Sequence, residues 1–309
     1  MTGMWRLVDI AGERRHLSLR RNAMVVRAED EELGRLHLAD INAVVVHAHQ
    51  ATVTTNLAAA LAEHNIPLVL CDAKHLPASI LWPFQGHFEQ ADRIEGQAAA
   101  SLPTKKRLWQ SLVKAKIKEQ ARSLADHDPA GERALLELVR KVRSGDPDNV
   151  EARAARLYWP RMLGPDFRRD TGGEGLNAPL NYGYIVLRSA MARAVAASGL
   201  TPAIGLHHRN RLNPFRLVDD LLEPFRPFVD RRVRANRAQW QDALTPAAKA
   251  SLAGLLTSEV RTADGMRPIY RIMGAVAFSL TQVFIGDRRT LDLPEALIQE
   301  PQMDLGLSG

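Results

Sequence analysis

The sequence carries a single cysteine, Cys71, in 309 residues. One thiol excludes a disulfide framework within the chain and any cysteine-rich zinc module. Its setting, Leu68-Val69-Leu70-Cys71-Asp72, reads as a strand and predicts a buried, inert thiol. No apolar run approaches the roughly 20 residues needed to span a bilayer. The N-terminus has no basic segment followed by a long apolar stretch, which argues against a secretory signal. The expectation is a cytoplasmic, reduced protein with no membrane partner. There is no internal repeat and no low-complexity tract beyond Ala98-Ala99-Ala100. The His-Glu-x-x-His spacing is also missing, which with the lone cysteine argues against a zinc hydrolase.

What is present is basic charge in one place. The formal charge is +6. The stretch from Thr104 to Arg122 has seven basic residues (Lys105, Lys106, Arg107, Lys114, Lys116, Lys118 and Arg122) against one acid, Glu119. That block alone equals the net charge, so the remainder averages to neutral. A localised block of this kind points to a polyanion partner, although each member also fits a solvated helix face. With 46% hydrophobic residues the chain has ample material for a core.

Two textures divide the chain. Up to about residue 85, short β-branched or alternating runs predict strands at Trp5–Ile10, His16–Leu19, Met24–Val26, Leu33–Leu38, Ile41–Val46 and Ile66–Leu70, with Ala78–Phe84 closing the region. One helix is expected from Thr55 to His64, capped by threonine and ended near Asn65-Ile66-Pro67. Beyond Gln85, apolar residues recur at helical spacing, as in Leu135, Leu138, Val139 and Val142. The fold class expected is α+β: a small β-rich domain over 1–85, a linker over 86–100, and a larger all-α domain over 101–309.

Three segments of the helical part combine acids, histidines and arginines. In Pro147–Pro160, Asp148 or Asn149 is a plausible N-cap, and Glu151 in the first turn fits a capping-box acid. The alanines at 152, 154 and 155 and the charges of Arg153 and Arg156 suit a functional role instead. In Gly205-Leu206-His207-His208-Arg209-Asn210-Arg211, the paired imidazoles read either as a surface loop or as ligands for a divalent metal, with arginines for phosphate. In Arg216–Asp230, Leu217, Val218, Leu221, Leu222 and Phe225 share one helical face, and Asp219, Asp220 and Glu223 the other. The acids fit a solvated face. The prolines at 224 and 227 and the basic run Arg231-Arg232-Val233-Arg234-Ala235-Asn236-Arg237 favour a charged binding surface.

Taken together and in this order, the segments resemble the CRISPR-associated integrase family of spacer acquisition. The likeness rests on Glu151 in an Asn-x-Glu-Ala-x-Ala-Ala-x-x-Tyr context, on Leu176-Asn177-Ala178-Pro179-Leu180-Asn181-Tyr182-Gly183-Tyr184, on Gly205-Leu206-His207-His208 and on Asp220-Leu221-Leu222-Glu223-Pro224-Phe225-Arg226-Pro227. The last run is most like members from type II systems. The resemblance implies metal ligands at Glu151, His208 and Glu223. His208 rather than His207 follows from the family pattern, in which the histidine is third after the glycine, and Glu223 from an acid placed three residues after an aspartate. It further implies a homodimer joined through the β-rich domains and assembly with the small companion protein Cas-two.

Two carboxylates and an imidazole form a hard, open donor set that suits Mg²⁺ or Mn²⁺. The chemistry implied is attack of a DNA fragment's 3′-hydroxyl on a phosphodiester, inserting short fragments into a CRISPR array. DNA contact is expected from Arg153, Arg156, Arg209, Arg211, Arg231, Arg232, Arg234 and Arg237, and from Lys105, Lys106, Arg107, Lys114, Lys116 and Lys118. Two alternatives stand beside this one: a nucleic-acid-binding protein without catalysis, and a branched-DNA nuclease with no part in integration.

Overall fold

The computed structural model describes residues 6–48, 50–71, 77–83, 87–241, 243–262 and 265–294. Trp5 and Phe84, at the ends of two expected strands, lie outside them. Strands β1 (Arg6–Ile10), β2 (Arg15–Arg20), β3 (Ala23–Ala28), β4 (Glu31–His37), β5 (Ile41–Val46) and β6 (Thr52–Val53) precede helix α1 (Thr55–Glu63). Strands β7 (Leu68–Cys71) and β8 (Pro77–Leu81) follow.

They build two four-stranded sheets, ordered β4-β3-β2-β6 and β1-β5-β7-β8. Arg20 pairs with Ala23, leaving Arg21 and Asn22 as a two-residue hairpin turn. Both turn residues have positive φ (49° and 58°), as the twist of a tight hairpin demands. In the second sheet β1, β5 and β7 run parallel and β8 returns antiparallel. Every residue of β5, Ile-Asn-Ala-Val-Val-Val, is buried, the continuous run expected of a parallel strand covered on both faces. One face shares a core with Leu17, Met24, Leu57 and Leu61. The other presents Val45 and, from β7, Val69 to Ile185 of the helical part. Helix α1 matches its expected span: the Thr54 hydroxyl accepts from the Leu57 amide (3.3 Å), and Asn65 ends it at φ 53°. Cys71 is half-buried rather than buried, because it sits at the last position of β7.

The remainder is mostly helical: α2 (Gln90–Ala99), α3 (Leu102–Leu124), α4 (Pro129–Lys141), α5 (Val150–Leu163), α6 (Asn177–Ala197), α7 (Arg216–Leu222), α8 (Arg226–Ala235), α9 (Arg237–Trp240), α10 (Pro246–Ala253) and α11 (Ile269–Ile285). Two expectations need correction. Within the stretch expected as a linker, Gln90–Ala99 is helix, and polar side chains hold it: Arg93 donates to the Ser198 carbonyl (2.9 Å), and Gln97 donates to the carbonyls of Thr201 (2.9 Å) and Ile204 (2.7 Å). A helix docked by buried polar groups leaves a weak apolar signature. Nor is the second part all-α: β9 (Glu259–Thr262) pairs antiparallel with β10 (Gly265–Pro268) just before α11. Four-residue strands are too short to stand out against the helical texture around them. Among the described residues, no helix is long and apolar enough to cross a membrane.

Helix α6 is buried on nearly all sides, and Gly183 permits this. A Cβ there would lie 2.4 Å from Val229 Cγ1 and 3.2 Å from Leu252 Cδ2. Gly183→Ala is therefore expected to cost about 1–3 kcal/mol through overpacking. Chemical denaturation measures this directly, and a change under about 0.5 kcal/mol would show that α8 and α10 do not close on α6 as described.

Candidate functional site

Three separate segments meet along one side of α3. At the start of α5, Asp146 and not Asp148 or Asn149 supplies the side-chain cap. Its carboxylate accepts from the amides of Val150 (2.9 Å) and Glu151 (3.0 Å). Asn149 stands at the N-cap position in a left-handed conformation (φ 50°) with no side-chain capping bond, while Asp148 forms an exposed pair with Arg143 (2.8 Å). Relieved of capping, the Glu151 side chain turns to α3 and accepts a hydrogen bond of 2.5 Å from Lys116 Nζ.

The second segment is the loop at Leu206–His208, shaped by Asp220. This carboxylate is fully buried. Its Oδ2 accepts from the amides of Leu206 (2.6 Å) and His207 (3.1 Å), and its Oδ1 lies 3.2 Å from the His208 amide and 2.6 Å from His208 Nδ1. Gly205 makes the approach possible, since a Cβ there would sit 2.8 Å from Asp220 Oδ2. The hydrogen bond to Asp220 raises the His208 pKa against the opposing effect of burial. With Nδ1 engaged, Nε2 is the nitrogen left for a ligand. His207 points elsewhere: its ring lies flat on Trp109, with centroids 4.2 Å apart and planes within 2°. Partial burial lowers its pKa.

The third segment is the short 3₁₀ turn Glu223–Phe225 between α7 and α8. The acids of this region do not form a solvated face: Asp220 and Glu223 are buried, and Asp219 is half-buried in a bidentate pair with Arg188 (2.8 and 2.9 Å). Glu223 Oε1 accepts from Arg226 Nε (2.9 Å), and Oε2 lies 2.5 Å from Lys116 Nζ. Burial alone would push the Glu223 pKa up, but Arg226 and Lys116 pull it down to about 2. Burial likewise opposes the charge of Lys116, which Glu223 and Glu151 more than restore. The Arg226 guanidinium is stacked over Tyr184 (4.7 Å).

Glu151 and Glu223 thus share one ammonium, and His208 lines the same cleft as Glu151. This bears on whether a divalent ion fits. Two carboxylate oxygens already converge on a single positive atom, the demand a hard cation makes. The imidazole does not complete that set: among the described residues no group of three or more His, Cys, Asp or Glu side chains is arranged to hold a metal ion.

The remaining expected contacts divide. Arg153, Arg156, Arg209, Arg211, Arg237, Lys106, Arg107 and Lys118 are exposed, and Lys105 and Lys114 half-buried. Lys106 and Arg209 line a cleft of about 490 Å³ with Glu151, His207 and His208. Lys116 is not a surface contact; its side chain is 12% exposed and inside the site. Arg232 is turned to Ser251 (3.1 Å) and Arg234 to the Met162 carbonyl (2.7 Å), while Arg231 lies over Phe228. All three are half-buried, and these contacts brace the helices. Asn177 and Asn181 fix the loop before α6 through Arg169 (3.0 and 2.6 Å).

Sequence reasoning missed Lys116 and Asp220 as parts of the site. The signal for Lys116 was its position among Leu112, Val113 and Gln120 on the buried side of α3, where an unpaired lysine is not tolerated. Lys116→Met should cost about 3–5 kcal/mol, since it strands a buried carboxylate. Adding Glu223→Gln should restore part of that loss in the same unfolding assay. Behind the site, burial pushes the Asp230 pKa up to about 6, against hydrogen bonds donated by Tyr184 (2.5 Å) and Tyr158 (3.1 Å). A raised carboxyl pKa stabilises the folded state fully below the ordinary value of 3.8, and that contribution is lost as pH rises through about 6. Between pH 7 and pH 5, wild type should gain on the order of 1 kcal/mol relative to Asp230→Asn, measured by denaturant titration.

Residues 8–263 match the family model described as CRISPR associated protein Cas1. The chain is 39% identical over 241 residues to the CRISPR-associated endonuclease Cas1 of Neisseria meningitidis serogroup C (strain 8013), covering 76% of this chain and 78% of that one. Among solved structures, a casposase bound to integration product superposes with a TM-score of 0.79 at 17% identity, over 97% of this chain and 96% of the other. A chain of a Cas6-RT-Cas1–Cas2 complex superposes at 0.75 and 16% identity, over 96% of this chain and 36% of that one. At such identities the superpositions show a shared fold. The match across most of the length, with the relative from Neisseria meningitidis, places this chain in the Cas1 family of CRISPR-associated proteins.

Proposed function

We propose that the protein is a divalent-metal-dependent DNA endonuclease and integrase that inserts short DNA fragments into a CRISPR array. The observation that carries this reading is the convergence of Glu151 and Glu223 on one cationic position, with His208 oriented beside them by Asp220. In this reading Glu151 and Glu223 would hold Mg²⁺ or Mn²⁺, with His208 as the third ligand that the family resemblance implies, and the ion when bound supplies Lewis-acid polarisation of a phosphoryl oxygen. The chain's own residues do the rest. Lys106 and Arg209 flank the cleft and offer positive charge to the DNA backbone. Asp220 keeps the His208 ring fixed, with Nδ1 committed and Nε2 directed away from it.

The nucleophile is the 3′-hydroxyl of a fragment. Its oxygen forms a new bond to phosphorus, the bond from phosphorus to the target strand's 3′-oxygen breaks, and that strand is released with a 3′-hydroxyl. Water in place of the fragment gives strand cleavage. The reading includes a homodimer formed through the strand-rich residues 1–85, a catalytic region over 101–309, and assembly with a Cas2-like companion. The last is supported by the likeness to a chain of a Cas1–Cas2 complex.

Alanine at Glu151, His208 or Glu223 should reduce metal-dependent strand joining on the order of 100-fold or more, with DNA binding changed little. Retained joining in all three variants would falsify this assignment of the site, and DNA binding without joining by wild type would identify a binding protein without catalysis. Donor fragments ending in a 3′-phosphate should not be joined. Cleavage of branched DNA without joining of 3′-hydroxyl donors would identify a nuclease instead.

A further inference from the structure

His207 has no role in the chemistry above, yet its placement is specific. The indole under it is 1% exposed and anchored in the core. The imidazole stacks on that indole in plane, while His208 meets the same indole edge-on (5.8 Å, 80°). The His207 amide is tied to Asp220, so the backbone beneath the ring is fixed as well. His207 itself is exposed and lines the cleft that also holds Glu151, His208, Lys106 and Arg209. A flat ring with one face backed by a buried indole, in an open cleft that two cations also line, matches the two parts of a nucleotide. The ring face suits a base, and the cations suit phosphates. A base inside a duplex already has both faces covered, so the complementary ligand is an unpaired one.

We propose that His207, backed by Trp109, is a stacking platform for an unpaired nucleobase beside the reacting phosphate. It is a positioning residue and not a metal ligand. The inference rests on the integrase reading. The base has two possible sources, the 3′-terminal nucleotide of the fragment or the target strand at the attacked junction, and both present the same chemistry.

The test is a binding cycle between protein and DNA without divalent metal, read by fluorescence anisotropy. The proteins are wild type, His207→Ala and His207→Phe, with thermal melting to confirm that each is folded. The DNAs are a fragment with unpaired 3′ ends, the same fragment abasic at its 3′-terminal nucleotide, and a junction substrate with or without an abasic site at the attacked position. Base stacking of this kind corresponds to a loss of about 5- to 100-fold for His207→Ala on intact DNA. His207→Phe should stay within about threefold of wild type, because it keeps the ring and discards the nitrogens. On the abasic partner, His207→Ala should cause no further loss, and the DNA that shows this coupling identifies the source of the base. Independent, multiplying losses on both DNAs would overturn the platform, as would a phenylalanine variant that fails like alanine. DNA binding by wild type with no coupling removes the platform alone. Absence of DNA binding by wild type removes the integrase reading with it.

Discussion

A carboxylate with almost no access to water must be given positive charge by the protein, and Glu223 imposes that requirement on everything near it. Two cations meet it from different directions, Lys116 from α3 and Arg226 from the following helix. Each is constrained in turn. Lys116 is buried between Glu223 and Glu151, and Glu151 is free to share it because Asp146 has taken over the capping of α5. Arg226 lies along Tyr184, whose hydroxyl is fixed by Asp230. The site is thus a closed sequence of charges in which each member justifies burying the next.

This balance explains why the region has little net charge and why arithmetic on the sequence passes over it. The basic block on α3 reads as one surface when counted, but the structure divides it. Lys106 and Arg107 are exposed at its start, whereas Lys116, in the same helix, points inward. Helical periodicity carried that distinction: Lys116 falls in register with residues that pack, and Lys118 does not.

Much of the fold was legible in local pattern. The β-branched runs marked the sheets, the buried strand β5 announced itself by continuity, and Thr54 and Asn65 bounded α1. The hairpin before α11 and the helix over 90–99 were not legible, the first for shortness and the second because Arg93 and Gln97 dock it through polar atoms. At the site, two of the residues that resemblance pointed to, Glu151 and Glu223, share Lys116, while His208 is held separately by Asp220. Their supports stayed hidden because they act across long separations in the chain. Asp220 lies among acids that look solvated, and only the fold reveals that backbone amides of the histidine loop enclose it. The capping-box interpretation of Glu151 failed for a related reason: a better cap, Asp146, stands just upstream in a left-handed turn that helix spacing does not anticipate.

Helix α6 touches both halves of the molecule within a single turn. Ile185 rests on Val45 and Val69 of the parallel sheet, and three residues later Arg188 donates from Nε and Nη2 to the two carboxylate oxygens of Asp219. Asp219 adjoins the carboxylate that shapes the histidine loop. With Gly183 seating the same helix tightly on α8, there is no slack in that path. The strand-rich sheet and the residues that shape the histidine loop are therefore anchored to the same stretch of α6, about one helical turn long, so a change in how that turn packs on one side alters the footing of the other.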